Sequence, residues 1–198
     1  MRDVVVQVFD YSLDGIIGEE ETDFFQFCRE VPDDPAHEAW TLNSLQSADV
    51  HIMGRVTYEG MAQYFPTADD HPYAEVMNRA RKAVFSGTLK SSDWSNSTIL
   101  SGQTAAEIEK VRRQGSGEIL AHGGVSFVQS LVHLDLVDEY RLSVFPYLAG
   151  YGSSLFALYG EAAPAGARVQ HGLRQRHRRY GLPPTQVGAV RCGRSSRS

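Results

Sequence analysis

The sequence is poor in the features that mark several protein classes. Its 198 residues include only two cysteines, Cys28 and Cys192, which lie far apart and in no metal-binding or disulfide-type spacing. No apolar run approaches the roughly 20 residues that a membrane-spanning helix needs. The apolar start at residues 4–9 is too short for the core of a secretion signal. These absences favour a cytoplasmic domain that folds without disulfides, a structural metal or a membrane.

Positive charge is also scarce, except at the C-terminus. The formal net charge is −5 at pH 7, which gives no general reason to expect a nucleic-acid partner. Residues 161–198 contain eight arginines, no lysine and one acid, Glu161, so they carry +7 and leave −12 for residues 1–160. We therefore predict a folded domain at residues 1–160 and an atypical tail, rich in Arg, Gly and Pro, at residues 161–198.

The tail has two alternative interpretations. Its abrupt change in composition and its loss of periodicity favour a shifted reading frame or a disordered segment. A basic extension that binds polyanions is the other interpretation, with residues 174–179 (RQRHRR) as its patch.

Residues 1–160 alternate short β-rich runs with helical patterns. Strands are predicted at residues 4–9, 48–54, 82–89 (with a Ser-Gly turn at its end), 97–101, 117–124 (ending in the diglycine) and 138–150, the last interrupted or bent near Pro146. Helices are predicted at 35–47, 57–65, 71–81, 105–114 and from Ser126 to about 133, the last two opened by capping boxes at Thr104 and Ser126. This order predicts an α/β fold with a mostly parallel central sheet, helices on both faces and an antiparallel C-terminal edge.

Three predicted strands end in glycine or small hydroxyl residues. The first runs through Gly54 and Arg55 into a helix that carries Thr57 near its start. The first N–H groups of a helix lack partners and carry about half a positive charge, so this junction is typical of an anion site. Gly54 would let a phosphate approach the backbone, and Arg55 offers a planar fork for a phosphate. A plain turn with a solvated arginine and a helix cap explains the same residues.

The other two strand ends repeat this pattern. Ser86 and Thr88 follow one strand, and Gly123-Gly124 follows another just before a helix. Ligands of parallel sheets collect outside the carboxyl ends of the strands. Three such ends together predict an extended, multiply phosphorylated ligand, although each could also be only a turn.

The same segments resemble a known family. IMGRVTYEGM (52–61) and KAVFSGTL (82–89) resemble the cofactor-binding segments of dihydrofolate reductase. GEILAHGGVSFVQSLVHLDLVDEYRLSVFPYLAGYGSSLF (117–156) resembles the RibD C-terminal type of reductase domain from riboflavin biosynthesis, and VVVQVFDYSLDGIIG (4–18) resembles its first strand and turn. The resemblance covers residues 3–157 and implies a dihydrofolate reductase-like fold.

The resemblance also implies a function and a site. It implies an NADPH-dependent reductase that acts on a small heterocyclic substrate, with 5-amino-6-(5-phosphoribosylamino)uracil as the nearest family substrate, and a homodimer. The residues it assigns to NADPH are Gly54, Arg55, Thr57, Ser86, Thr88, Gly123, Gly124, Ser126 and Phe127. A cis peptide is implied at Gly123-Gly124.

Two departures from the family concern the substrate. The Leu-Pro-Trp segment of folate reductases, with its acidic residue, has no counterpart, which argues against a true folate reductase. His122 stands where riboflavin-type reductases usually carry an acid. We predict Asp14 and His122 as catalytic residues near the substrate, since a histidine of ordinary pKa can donate a proton at neutral pH.

Simpler roles and other functions stay open at this point. His122 could be structural, Asp14 could belong to a plain turn, and His51, inside a strand, is predicted to be a hydrogen-bonded core or edge residue. The aromatic residues Phe24, Phe25, Phe27 and Trp40 are predicted mostly to pack in the core, with a pocket wall as the alternative. The alternative functions are a cofactor-binding but inactive relative and a polyanion-binding protein that acts through its tail.

Overall fold

The fold is built around one sheet whose strands meet at a common rim. The computed structural model describes residues 2–157 and the backbone of two further strands, at 168–173 and 189–190. The predicted domain boundary at residue 160 and most of the tail, including the basic patch at 174–179, lie outside the described residues.

Helices and strands alternate through the described chain. The strands are β1 (Val4–Ser12), β2 (Ala48–Gly54), β3 (Arg81–Phe85), β4 (Ser97–Leu100), β5 (Glu118–Ala121), β6 (Glu139–Phe145), β7 (Arg168–Leu173) and β8 (Ala189–Val190). The α-helices are α1 (Asp23–Glu30), α2 (Pro35–Ser47), α3 (Arg55–Tyr64), α4 (Ala74–Arg79), α5 (Thr104–Arg112) and α6 (Val125–His133), and a short 3₁₀ helix spans Phe65–Thr67. Among these helices, none is long and apolar enough to cross a membrane.

The sheet has the order β4-β3-β2-β5-β1-β6-β7-β8. Strands β1 to β6 pair in parallel throughout, and β7 pairs in parallel with β6. The predicted mostly parallel α/β sheet is thus confirmed. The predicted antiparallel edge is not shown, because the six strands within residues 2–157 pair only in parallel with one another. Strand β7 pairs in an antiparallel way with the two-residue strand β8.

Alternation along the strands supplies a core on each face of the sheet. Val4, Val6 and Val8 of β1 pack against α5 and α6, whereas Val5 packs on the opposite face with residues of α2, α3 and α4. Successive side chains of a strand point to opposite faces, so a continuous apolar run is what a sheet covered by helices on both sides requires.

Several predicted boundaries differ from those of the structure. The strand predicted over 138–150, with an interruption or bend near Pro146, ends at Phe145, because Pro146 has no N–H to continue the ladder. The helix predicted over 71–81 is only α4, and residue 81 already belongs to β3. Helix α1 was not predicted, although Thr22 caps it by accepting a hydrogen bond from the Phe25 N–H.

The two predicted capping boxes do not form. Helix α5 begins at Thr104 after Gln103, and α6 begins at Val125 after Gly124, in both cases without a side-chain cap. Thr104 and Ser126, the predicted caps, already lie inside their helices, and the side chains at the third position of each box have other partners. The Glu107 carboxylate pairs with Lys110 at 2.8 Å, and the Gln129 amide donates to the Ser154 carbonyl.

Candidate functional site

A polar cavity of about 410 Å³ lies where the predicted strand ends meet. Its lining comes from the ends of β2 and β3 and from the starts of α3, α5 and α6. The predicted residues that line this polar cavity are Gly54, Arg55, Ser86, Gly124, Ser126 and Phe127. The carboxyl rim of the parallel sheet therefore brings together segments that are far apart in the sequence.

Three helices point their N-termini at the polar cavity. Gly54 precedes α3, Gln103 precedes α5 and Gly124 precedes α6, and none of these N-caps makes a side-chain hydrogen bond. The first N–H groups of each helix thus stay available to a ligand, and the three helix dipoles add positive potential at one place. The convergence of helix starts on one cavity suits a ligand with several negative charges.

Glycine lets the chain segments beside this cavity pack closely. A Cβ on Gly124 would lie 3.2 Å from the Thr57 Oγ1, and one on Gly54 would lie 3.1 Å from the Phe127 Cβ. The Gly54 N–H donates to the Gly123 carbonyl at 3.2 Å, which joins the end of β2 to the diglycine turn. The Gly123-Gly124 peptide bond is cis, which confirms the resemblance on this point.

The charged and hydroxyl groups of the rim are free to reorient. Arg55 is half-exposed and pairs only one turn along its own helix, with Glu59 at 2.7 Å. Such an exposed pair contributes about 1 kcal/mol or less, so Arg55 can exchange Glu59 for a phosphate. The Ser86 Oγ accepts hydrogen bonds from the N–H groups of Thr88 and Leu89, and it lies 3.4 Å from the Thr88 Oγ1, with which it shares a further hydrogen bond. Thr88 is exposed beside Ser86 and does not line the cavity.

A larger cavity, of about 730 Å³, lies on the other side of β1 and is called here the substrate cavity. Its walls come mainly from β1, α1, α2 and the region of α4. A small cavity of about 190 Å³ lies between the two, since it shares Gly124 with the polar cavity and Phe9, Asp10 and His122 with the substrate cavity. The three cavities therefore follow one another along the path of the rim.

His122 stands at the junction of this path and belongs to a buried histidine pair. The His122 Nε2 lies 2.7 Å from the His51 Nδ1, and the His51 Nε2 lies 3.2 Å from the Leu45 carbonyl. Because a carbonyl can only accept, the His51 Nε2 carries a proton and its Nδ1 accepts from the His122 Nε2–H. The His122 Nδ1 is then an acceptor, and it is buried without a hydrogen-bond partner among the described residues.

The pair does not have the ordinary histidine pKa that the sequence led us to expect. Burial, aided by the neighbouring His51, lowers the pKa of His122 well below its usual value. Burial also lowers the pKa of His51 to about 4. Both rings are therefore neutral at pH 7, and His122 is suited to accept a hydrogen bond rather than to donate a proton. The prediction of His51 as a buried residue is confirmed, but its link to His122 was missed.

Asp14 lies apart from the three cavities. Its carboxylate accepts hydrogen bonds from the Ser12 hydroxyl at 2.6 Å and from the backbone N–H groups of Ala149 and Gly150. The hydrogen bond from Ser12, followed by those from the backbone, lowers the pKa of Asp14 to about 2. The structure thus places Asp14 as an ionised acceptor that ties the first turn to the loop after β6.

The aromatic residues divide between core and cavity. Phe24 and Phe27 pack with Phe145 and Tyr147, as the core interpretation predicted. Phe25 lines the substrate cavity, whereas Trp40 lies against the His37 ring. Sequence reasoning missed several lining residues, namely Gly102 and Thr104 in the polar cavity and Asp10, Asp33, Asp34, Glu38 and Thr41 in the substrate cavity. Gly102 precedes the start of α5 as Gly54 precedes that of α3, and this parallel could have revealed it.

Known proteins resemble this chain in sequence. The chain is 30% identical over 117 residues to the uncharacterized protein YyaP of Bacillus subtilis (strain 168), a match to 57% of this chain and 61% of that protein. The matched segment thus spans about three fifths of the length of that curated relative.

Two solved structures share the fold at low sequence identity. A candidate riboflavin biosynthesis protein from Shewanella sp. PV-4 superimposes with a TM-score of 0.62 and 24% identity, over 84% of this chain and 89% of that one. A diaminohydroxyphosphoribosylaminopyrimidine deaminase/5-amino-6-(5-phosphoribosylamino)uracil reductase from Thermotoga maritima gives a TM-score of 0.55 and 14% identity, over 83% of this chain and 51% of that one. At these identities the likeness concerns the fold alone.

The family assignment rests on a match to most of the chain. The family model for the RibD C-terminal domain matches residues 3–174, which include all three strand ends and the diglycine turn. As the sequence resemblance implied, the chain belongs to the RibD C-terminal domain family.

Proposed function

We propose that the protein is an NADPH-dependent reductase that transfers hydride to a small heterocyclic substrate. The observation that carries the proposal is the convergence of three uncapped helix N-termini and Arg55 on one polar cavity. Membership of the RibD C-terminal family supports a reductase, and the Thermotoga maritima neighbour carries a uracil reductase in its name.

The residues of the polar cavity fit a phosphorylated dinucleotide. The N–H groups that open α3 and α6 would hold phosphate oxygens, Gly54 and Gly124 leave room for them, and Arg55 adds a charged fork. Ser86, with Thr88 beside it, would donate to the adenosine 2′-phosphate. Thr57, Gly123, Ser126 and Phe127 complete the predicted cofactor set at the start of the two helices.

Bound there, NADPH would supply the hydride, and the chain's own residues would orient the acceptor. The small cavity between the two sites is where cofactor and substrate would meet, and His122 lines both it and the substrate cavity. We assign His122 to substrate orientation through its Nδ1 acceptor. Asp14, which the sequence also predicted to be catalytic, is assigned instead to holding the loop after β6.

Nucleotide titration tests the proposal. Charge-assisted hydrogen bonds to the 2′-phosphate contribute roughly 1.5–3 kcal/mol each, so NADPH should bind about ten- to hundredfold more tightly than NADH. Arg55→Ala should weaken NADPH binding by about tenfold or more. Arg79→Ala is the matched control, because Arg79 forms the same kind of exposed pair, with Glu75 on α4, outside the polar cavity.

Three outcomes separate the candidate functions. NADPH binding with the expected preference, together with NADPH oxidation by an aminouracil acceptor, would support the reductase. Binding without hydride transfer to any acceptor in a broad screen would favour an inactive relative. Failure to bind either nucleotide would contradict the proposal. A homodimer, which the resemblance implies, stays a prediction that light scattering can check on the same sample.

A further inference from the structure

The substrate cavity is strongly acidic for a site that would receive a riboflavin precursor. Four carboxylates line it, and one guanidinium is the only formal positive charge in the described part of its wall, so the wall carries a formal charge of −3. The carboxylates are Asp10, Asp33, Asp34 and Glu38, and the guanidinium is Arg29.

The single arginine is already engaged. The Arg29 Nη2 donates to both carboxylate oxygens of Asp10, at 3.1 and 3.0 Å. Asp34 caps α2 by accepting from the Ala36 N–H, so its negative charge offsets the positive end of that helix at the cavity. His71 adds no positive charge at neutral pH, because burial lowers the pKa of its ring. The charge of the wall is therefore unfavourable for a phosphate.

Two buried polar atoms in the same wall point independently to a ligand. The His122 Nδ1 and the Thr41 Oγ1 have no hydrogen-bond partner within the described ranges, although His122 is 9% and Thr41 1% exposed. Buried polar atoms are nearly always paired, so these two are candidates for hydrogen bonds to a bound molecule. The His51 contact makes the His122 Nδ1 an acceptor, which requires an N–H or O–H donor on the ligand.

We propose that the substrate cavity selects a neutral or cationic amino-substituted heterocycle that carries no phosphate group. This inference rests on the proposed reductase function and narrows its substrate class. Exocyclic amino groups and ring N–H groups are donors that match the carboxylates and the His122 acceptor. A phosphate would bring further negative charge against a wall of −3, and like charges facing each other at an interface cost several kcal/mol.

A matched pair of ligands tests the charge selection. The probes are 5-amino-6-ribosylaminouracil and its 5′-phosphate, titrated calorimetrically into the full chain, with and without saturating NADP⁺, which fills the cofactor site but cannot supply the hydride. The dephosphorylated compound should bind at least about tenfold more tightly. Uridine, which lacks both amino groups, should bind at least about tenfold more weakly than that compound, since it leaves acceptors unpaired.

Charge-neutral variants connect the selectivity to the wall. The triple variant Asp33→Asn/Asp34→Asn/Glu38→Gln should reduce the tenfold preference for the dephosphorylated compound over its phosphate ester to about threefold or less. Asparagine is chosen at position 34 because it also caps helices. The control variant Glu20→Gln/Asp93→Asn/Asp135→Asn removes the same number of charges outside the substrate cavity and should leave the preference unchanged.

Specific results would overturn the inference. Equal or tighter binding of the phosphate ester, especially if Arg29→Ala abolishes it, would show that Arg29 leaves Asp10 to hold a phosphate. Equal binding of uridine, or no binding of any probe, would also refute it. These failures are distinct from failure of the reductase proposal, because NADPH binding is measured separately at the polar cavity.

Discussion

Lys82 presents a buried cation whose contribution to stability can be measured. Its side chain is 1% exposed, and its Nζ donates to the carbonyls of Met77 at 2.8 Å and Ala80 at 2.7 Å. The Nζ also lies 4.2 Å from the Trp94 ring centre. Lys82 thereby satisfies carbonyls at the C-terminal end of α4 and fixes that helix to the strand that leads to Ser86.

The substitution Lys82→Met removes the donors but keeps an apolar side chain of similar length. Two buried carbonyls then lose their partner, at about 1–3 kcal/mol each. The contact with the Trp94 ring contributes about 2 kcal/mol when desolvated. Removing a desolvated ammonium offsets part of this loss, since burying such a charge costs several kcal/mol. We expect a net fall of about 2 kcal/mol in the free energy of unfolding at pH 7.

The pH dependence of the difference in unfolding free energy between the wild type and Lys82→Met is a sharper test than the difference at pH 7. Burial lowers the pKa of Lys82 from 10.5 to about 8 in the folded state. Between these two values the unfolded chain binds more protons than the folded one, so the stability of the wild type should rise with pH relative to Lys82→Met. The neutral amine still has two N–H groups for the Met77 and Ala80 carbonyls.

Urea denaturation of both proteins at intervals from pH 7 to about pH 10 measures this difference, and the shared titrations of other groups cancel. Lys110→Met is the control, because Lys110 is 63% exposed in a surface pair and should change stability by about 1 kcal/mol or less at any pH. The difference in unfolding free energy between the wild type and Lys82→Met should therefore widen above pH 8. If it stays constant or narrows, the lowered pKa of Lys82 is refuted. The carbonyls and the Trp94 ring would then hold the folded-state pKa near its ordinary value.

Two further predictions concern the rim and the first turn. Gly124→Ala should weaken NADPH binding by about tenfold or more in a fluorescence titration, since the added Cβ would lie 3.2 Å from the Thr57 Oγ1. Gly60→Ala, on the same helix as Thr57, is the control: its Cβ would contact nothing within 4 Å, so the variant should bind NADPH as the wild type does. Asp14→Asn should leave turnover unchanged. In the wild type the pKa of Asp14 is about 2 in the folded state, so its contribution to the free energy of unfolding is lost as the pH falls from about 4 to 2. Stability should therefore fall more steeply over this range in the wild type than in the variant.

The sheet could be predicted because its signals are local. Apolar runs in β1 and β2, each followed by turn or cap residues, fix the strands, and their alternation with helices implies a parallel arrangement. Helix α1 was missed although its signal is local: Phe24, Phe27 and Cys28 have the i, i+3, i+4 spacing of one helix face, which packs against β6. The capping boxes failed because the helices begin at Thr104 and Val125, so that Thr104 and Ser126 are helical residues and not N-caps.

The polar cavity was easier to predict than the substrate cavity for a physical reason. Phosphate binding uses backbone N–H groups at strand-to-helix junctions, and Gly54 and Gly124 mark such junctions in the sequence. The substrate cavity depends on side chains from β1, α1 and α2 that approach only in the folded state. The pairing of His51 with His122 joins residues 71 positions apart, and no local pattern specifies it.

The opposite charges of the polar cavity and the substrate cavity also bear on how an extended cofactor would be oriented. Three helix N-termini and Arg55 make the polar cavity attractive to phosphates, whereas the −3 wall of the substrate cavity repels them. The small cavity between them is lined largely by neutral residues, among them Gln7, Phe9 and Gly123. On our assignment, a dinucleotide could place its phosphates at one end only. Its uncharged reactive end would therefore face His122 and the substrate, and the same repulsion that rejects phosphorylated substrates would keep the cofactor from binding in reverse.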